Sequence, residues 1–113
     1  AISVDPATSE VYLYGAFTGP IDFGSGTRTN AGRDLVVVKF NSTGTYLWDS
    51  TWGGASTDDY GDITLNASGH PYMTGYFSGS NVDFEPGPGV SPLSSAGSND
   101  IFVQKLLKTT GGW

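Results

Sequence analysis

The chain states one pattern twice. Val11-Tyr12-Leu13-Tyr14-Gly15-Ala16-Phe17-Thr18-Gly19 reappears 60 residues later as Pro71-Tyr72-Met73-Thr74-Gly75-Tyr76-Phe77-Ser78-Gly79, with Tyr, Gly, Phe and Gly at matching places. Each copy is soon followed by an Asp-Phe pair, Asp22-Phe23 and Asp83-Phe84. The run from Ala31 to Phe40 then returns from Ala96 to Leu106. A period of roughly 60 residues built from short apolar runs marks repeated β units, none of which can bury its apolar face alone.

The totals agree with that pattern. At 113 residues the chain has the length of one domain, and two copies of the repeat fill it, 1–54 and 55–113. Apolar runs separated by Gly, Asn, Asp and Ser clusters, with 17 Gly and 6 Pro, predict an all-β fold. Net charge is −6 with only 5 Lys and Arg. No cationic patch is available for phosphates, so neither nucleic acid nor an anionic membrane surface is an expected partner. No run approaches the ~18 apolar residues that span a bilayer. There is no cysteine, hence neither a disulfide framework nor a thiol nucleophile. Ala1–Asp5 carries neither a basic region nor an apolar one, so a signal peptide is expected to be absent or already removed. The chain opens inside a strand pattern, as a mature product or a fragment would.

In order, strands are expected at 1–5, 11–18, 34–40 and 46–52, then at 60–66, 72–78 and 100–108. Asp5-Pro6 suits a turn in which Pro presets φ and Asp accepts from the backbone. Asn41-Ser42-Thr43-Gly44 reads as a hairpin turn. Trp48 and Trp52, four apart on one strand, share a face. The segments 19–33 and 81–99 read as long loops, the second stiffened by Pro86, Pro88 and Pro92. Thr109-Thr110-Gly111-Gly112 reads as a second hairpin turn leading toward a fourth strand that is missing, with Trp113 matching the start of the 46–52 run.

Four strands, a connector and the same again is the pattern of propeller blades. The runs Val11-Tyr12-Leu13-Tyr14-Gly15, Gly53-Gly54-Ala55-Ser56-Thr57-Asp58-Asp59-Tyr60-Gly61, Asp83-Phe84-Glu85-Pro86-Gly87-Pro88-Gly89 and Ala96-Gly97-Ser98-Asn99-Asp100-Ile101-Phe102-Val103 resemble the bacterial β-propeller repeat family called SBBP. The resemblance covers nearly the whole chain. It departs in the first copy, where Gly24-Ser25-Gly26 replaces the Pro-Gly-Pro-Gly run. It implies antiparallel four-stranded blades, about two of them with the second incomplete, from a large exported or surface protein without an assigned activity. A closed propeller needs about four to eight blades. Two would leave Leu35, Val37, Tyr72 and Phe102 partly bare, so a longer chain or identical copies are expected to complete the object. Copies packed head to tail give a ring or a filament, and strand donation into the place of the missing strand is a further route.

Candidate sites are few. Asp58, Asp59 and Asp62 form the densest acidic group and are a Ca²⁺ candidate, although without the Gly and terminal Glu of an EF-hand; a solvated inter-blade turn is the simpler reading. Asp83 and Glu85 could serve as a carboxylate pair for glycoside hydrolysis. Asp22 stands at the matching place in the first copy with no match for Glu85, so Phe anchoring and Asp capping of the loop explains the repeat better. His70, the lone histidine, lacks partners for a metal set and reads as an exposed turn residue. The sequence from Asn41 to Trp48 resembles the Asp-box turn of sialidase propellers without its Asp. Asn41 and Asn66 head N-glycosylation acceptor motifs at expected turns. Exposed Tyr and Trp could stack on sugars, though aromatics at alternating positions also build cores. The functional expectation is therefore a non-enzymatic, extracellular or cell-surface structural and interaction module that self-associates. The alternative is a carbohydrate-binding module, with Ca²⁺ as its one cofactor candidate, and a fragment of a propeller hydrolase is the third.

Overall fold

A computed structural model describes residues 1–113, and the protein is all-β, with antiparallel sheets and no helix. The strands are β1 (Ile2–Val4), β2 (Val11–Phe17), β3 (Ile21–Asp22), β4 (Thr27–Arg28), β5 (Asp34–Phe40) and β6 (Tyr46–Trp52). They continue with β7 (Asp59–Leu65), β8 (Pro71–Phe77), β9 (Val82–Asp83), β10 (Pro92–Leu93) and β11 (Asp100–Lys105). The first sheet has the order β1-β2-β5-β6 and the second the order β11-β8-β7. Both expected long loops fold back on themselves, as the two-residue ribbons β3-β4 and β9-β10. These pairings are too short to leave a period-2 signal in the sequence.

The repeat is carried into the pairing register. Tyr14 faces Val37 across β2-β5, and Thr74 faces Val103 across β8-β11. Ile2 faces Leu13 across β1-β2, and Ile63 faces Met73 across β7-β8. Equivalent residues therefore lie 60 apart in the second strand of each sheet and 66 apart in the third. The hairpin turn after β5 is closed by Asn41 N–H to Thr45 O at 2.8 Å, and the corresponding turn after β11 by Leu107 N–H to Gly112 O at 2.8 Å. Within residues 1–113 β11 pairs only with β8. Trp113 is exposed, and the far edge of β11 is unpaired.

The core lies between the two sheets. Twelve buried residues form one cluster there, including Tyr12, Leu35 and Val37 from the first sheet and Ile63, Met73 and Phe102 from the second. Trp52 belongs to the cluster and Trp48 packs against it, as their spacing predicts. The expectation that Leu35, Val37 and Phe102 would be partly bare is corrected. The first sheet buries one face on the second, and Ile101 and Val103 are bare instead, on the second sheet's other face. A smaller cluster of Phe17, Val36 and Val38 sits on the first sheet's opposite face, with Phe23 from the β3-β4 ribbon edge-on to Phe17 at 5.9 Å.

Polar groups stitch the seam between the sheets. Tyr12 Oη donates to Gly69 O at 3.3 Å and Tyr14 Oη to Thr74 O at 3.2 Å. Burial holds the Tyr14 phenol well above its ordinary pKa, so it stays protonated and keeps donating. Lys39 is buried, yet its Nζ reaches Lys108 O at 2.8 Å and Glu10 Oε1 at 3.1 Å and lies 5.3 Å from the Tyr12 ring centre. The Tyr14→Phe variant is expected to lose about 1 kcal/mol, the net worth of one such bond. A urea midpoint unchanged from the wild type would remove that bond from the forces holding the sheets together.

Candidate functional site

Two features stand apart from ordinary packing: an acidic junction at one end of the seam, and two bare sheet faces. The junction forms where the chain passes from the first sheet to the second. Gly53 N–H donates to Asp83 O at 3.1 Å, Asp58 N–H to Arg33 O at 2.9 Å, and Arg33 pairs with Thr57 in a single parallel bridge. Gly53 has φ 153°, and a Cβ there would run into Asp34 Oδ1 and come within 2.8 Å of Asp58 Oδ2. The two carboxyl groups thus crowd one small space that only glycine leaves open.

Asp58 is 0% exposed; its Oδ2 accepts from Gly54 N–H at 2.9 Å, while its Oδ1 has no partner. Asp34 Oδ1 is likewise buried without a partner, and so are Arg33 Nε and Trp52 Nε1. Burial, and then the charge of Asp58, pushes the Asp34 carboxyl up to about 6. Burial also raises Asp58, opposed by backbone N–H donors at Gly54 and Ser78. Two neighbouring carboxylates with buried oxygens cannot both ionise without mutual repulsion and desolvation. Next to them opens a polar cleft of about 510 Å³, lined by Asp34, Asp83, Glu85 and Arg28 among others. Arg28 is already committed to Asp49, Nε to Oδ2 at 2.7 Å. Burial would raise Asp49, but Arg28, Tyr46 and Ser25 hydrogen-bond to it and leave it below the usual carboxylate range.

The acidic triplet picked out in the sequence does not converge. Asp58 points into the seam. Asp59, the next residue on an extended chain, pairs with Arg33 at 3.0 Å and accepts from Tyr76 Oη at 3.0 Å. Asp62 is exposed and accepts from Ile63 N–H at 2.8 Å. No three acidic or histidine side chains come together to hold a metal ion. The residue that does meet Asp58 is Asp34, 24 positions earlier. Sequence reasoning missed this pairing because Asp34 begins a strand and has no acidic neighbour.

The Asp-Phe pairs cap and anchor their loops. Asp22 Oδ1 accepts from Gly24 N–H at 2.8 Å and Gly26 N–H at 3.1 Å; Asp83 Oδ1 accepts from Glu85 N–H at 3.0 Å and Ser91 N–H at 2.9 Å. Phe84 is buried between Phe77 and Phe102, with ring centres 5.0 and 5.1 Å away. Glu85 Oε1 accepts from Gly87 N–H at 2.8 Å. Asp83 and Glu85 thus spend oxygens on the backbone of their own loop. His70 is half-buried rather than exposed, because its Nδ1 accepts from Lys108 N–H at 3.1 Å and ties two turns together. Asn41 and Asn66 close their turns through Oδ1, Asn41 accepting from Thr43 and Thr45 and Asn66 from Ser68 and His70.

The bare faces are the second feature. On the second sheet Ile101 is 84% and Val103 75% exposed, beside Tyr76 and Lys105. On the first sheet Ile2 is 64% exposed, with Val4 and Leu13 beside it. Exposed aliphatic residues gathered on sheet faces mark surfaces that take a partner. The fold and these surfaces define a class, an antiparallel all-β protein of two packed sheets with open outer faces. No family model, curated protein or solved structure matches the chain.

Proposed function

We propose that the protein is a non-enzymatic structural and interaction module that self-associates into a ring or filament. Its two sheets then serve as propeller-type blades of the SBBP kind, and its place is extracellular or at a cell surface. The observation that carries this reading is the bare outer face of the second sheet, where Ile101 and Val103 lie 84% and 75% exposed beside the unpaired edge of β11. An apolar face and an open strand edge side by side favour association with another β surface. The acidic side chains picked out as catalytic candidates are occupied in holding loops, which favours a structural role for them. Exposed Asn66, in the turn before β8, stands where a glycan would be accessible.

A second reading has one observation in its favour. Tyr76 is exposed on the same open face as half-buried Tyr72, giving a surface on which a sugar could stack. Glycan binding that depends on calcium would support a carbohydrate-binding module instead.

The test of the leading reading is mass in solution across a dilution series, with negative-stain images of the same samples. Discrete multiples of the 11.8 kDa chain, or long threads, are the expected outcome. A folded monomer at every concentration would sink it.

A further inference from the structure

Each sheet presents two faces, and the repeat makes them comparable residue by residue. The first sheet's seam face carries Leu35 and Val37, fully buried against the second sheet. Their equivalents by register are Ile101 and Val103, which are bare. The second sheet's seam face carries Ile63 and Met73, buried against the first sheet. Their equivalents are Ile2 and Leu13, which are bare as well. The seam is therefore a heterologous contact between one kind of face and another, and the molecule has one open example of each kind, the first sheet's being open at Ile2 and Leu13 and covered by Phe23 at Phe17, Val36 and Val38.

We propose that a second copy of this chain docks head to tail, its Ile2/Leu13 face on the Ile101/Val103 face, repeating the seam between molecules. This rests on the self-association proposed above and names the surfaces and their polarity. The unused faces already carry the same accessory groups as the seam. Lys39 lies 5.3 Å from the Tyr12 ring in the seam, and Lys105 lies 5.9 Å from the Tyr72 ring on the bare face. In the seam Tyr12 Oη donates to Gly69 O, in a turn where Gly69 has φ 84°. The matching turn of the first sheet has Ser9 at φ 59°, closed in the same way by a bond from Asp5 N–H to Glu10 O. In the docked pair the Tyr72 hydroxyl of one copy meets the Ser9 turn of the next. Such a contact joins unlike patches; it gives a ring if the rotation closes, two copies being the fewest that reach four blades, and a filament if it does not.

The chain has no cysteine, so single introduced thiols report one contact each. Val103→Cys and Leu13→Cys are both at exposed positions, and each variant is checked by circular dichroism to be folded. Facing sheets pack about 10 Å apart, so mixing the two with a thiol-to-thiol cross-linker of about that span is expected to give a linked dimer that is absent when either is treated alone. Val103→Asp or Leu13→Asp is expected to abolish the high-mass species of the otherwise unchanged chain. A dimer from Val103→Cys alone would mean a symmetric face-to-face contact and overturn the proposal. If the wild type associates but the mixture gives no linked dimer, association runs through another surface such as the β11 edge, and this inference alone fails. If the wild type stays monomeric, the reading beneath it fails too.

Discussion

Gly75→Ala is expected to lower the thermal midpoint by roughly 10–20 °C, from a loss of about 3 kcal/mol in a chain of this size. A Cβ on Gly75 would strike the carbonyl oxygen of Asp59 and approach the Phe102 ring to 3.0 Å. The first obstacle is backbone and cannot rotate away. It can be relieved only by opening the pairing of β7 with β8 beside the register shift between Tyr60 and Ile63. Gly15 occupies the equivalent place in the first sheet, and nothing lies within 4 Å of the position its Cβ would take. Gly15→Ala should therefore stay within about 0.5 kcal/mol of the wild type, or gain slightly from a stiffer unfolded chain. Equal losses in the two variants would show that strand glycine as such, not the close approach, is what matters.

Asp34→Asn is expected to raise stability at pH 7.5 and to leave it nearly unchanged below pH 4. In the folded protein burial, and then the charge of Asp58, pushes the Asp34 carboxyl from its ordinary 3.8 up to about 6. A group raised on folding contributes stability that is fully present below the unfolded pKa. That contribution is lost as pH rises through the folded one. Between these values the wild type loses stability, and asparagine does not. Asp34 is only half-buried, so solvent screening reduces the effect, and a gain of about 1–2 kcal/mol at pH 7.5 is reasonable. Asparagine also brings a donor to a junction where Asp58 Oδ1 has none. Thermal unfolding of both proteins at pH 4, 6 and 7.5 would decide the matter. A midpoint for Asp34→Asn at or below that of the wild type at pH 7.5 would show that the pair is satisfied in some other way.

The strands were legible because their signals are local. Val11–Phe17, Asp34–Phe40 and Tyr46–Trp52 are apolar runs with clear turn residues between them, and the repeat supplied their partners. Asp22 and Asp83 were legible as loop caps because each precedes a phenylalanine and a glycine-rich turn. The choice of face was not legible. Val37 and Val103 have the same residue type and the same register, yet one is fully buried and the other bare. That difference belongs to the neighbouring sheet, not to the strand. The Asp34–Asp58 contact was hidden for a related reason, since it depends on how a connector returns to the start of an earlier strand. Nothing in the sequence marks Lys39, which follows three valines, as a buried residue. It is buried because Tyr12, Glu10 and a turn carbonyl surround it.

The two lysine–tyrosine pairs also make the chain its own reporter. Lys39 and Lys105 sit on equivalent aromatic rings, but the first is sealed in the seam and the second lies open to solvent. An amine-directed label read out by mass spectrometry should mark Lys105 at once and Lys39 only when the sheets part. Labelling of Lys39 then times unfolding, and protection of Lys105 registers whatever comes to cover the open face. The ratio of the two in one peptide digest separates loss of structure from gain of a partner without any change to the sequence.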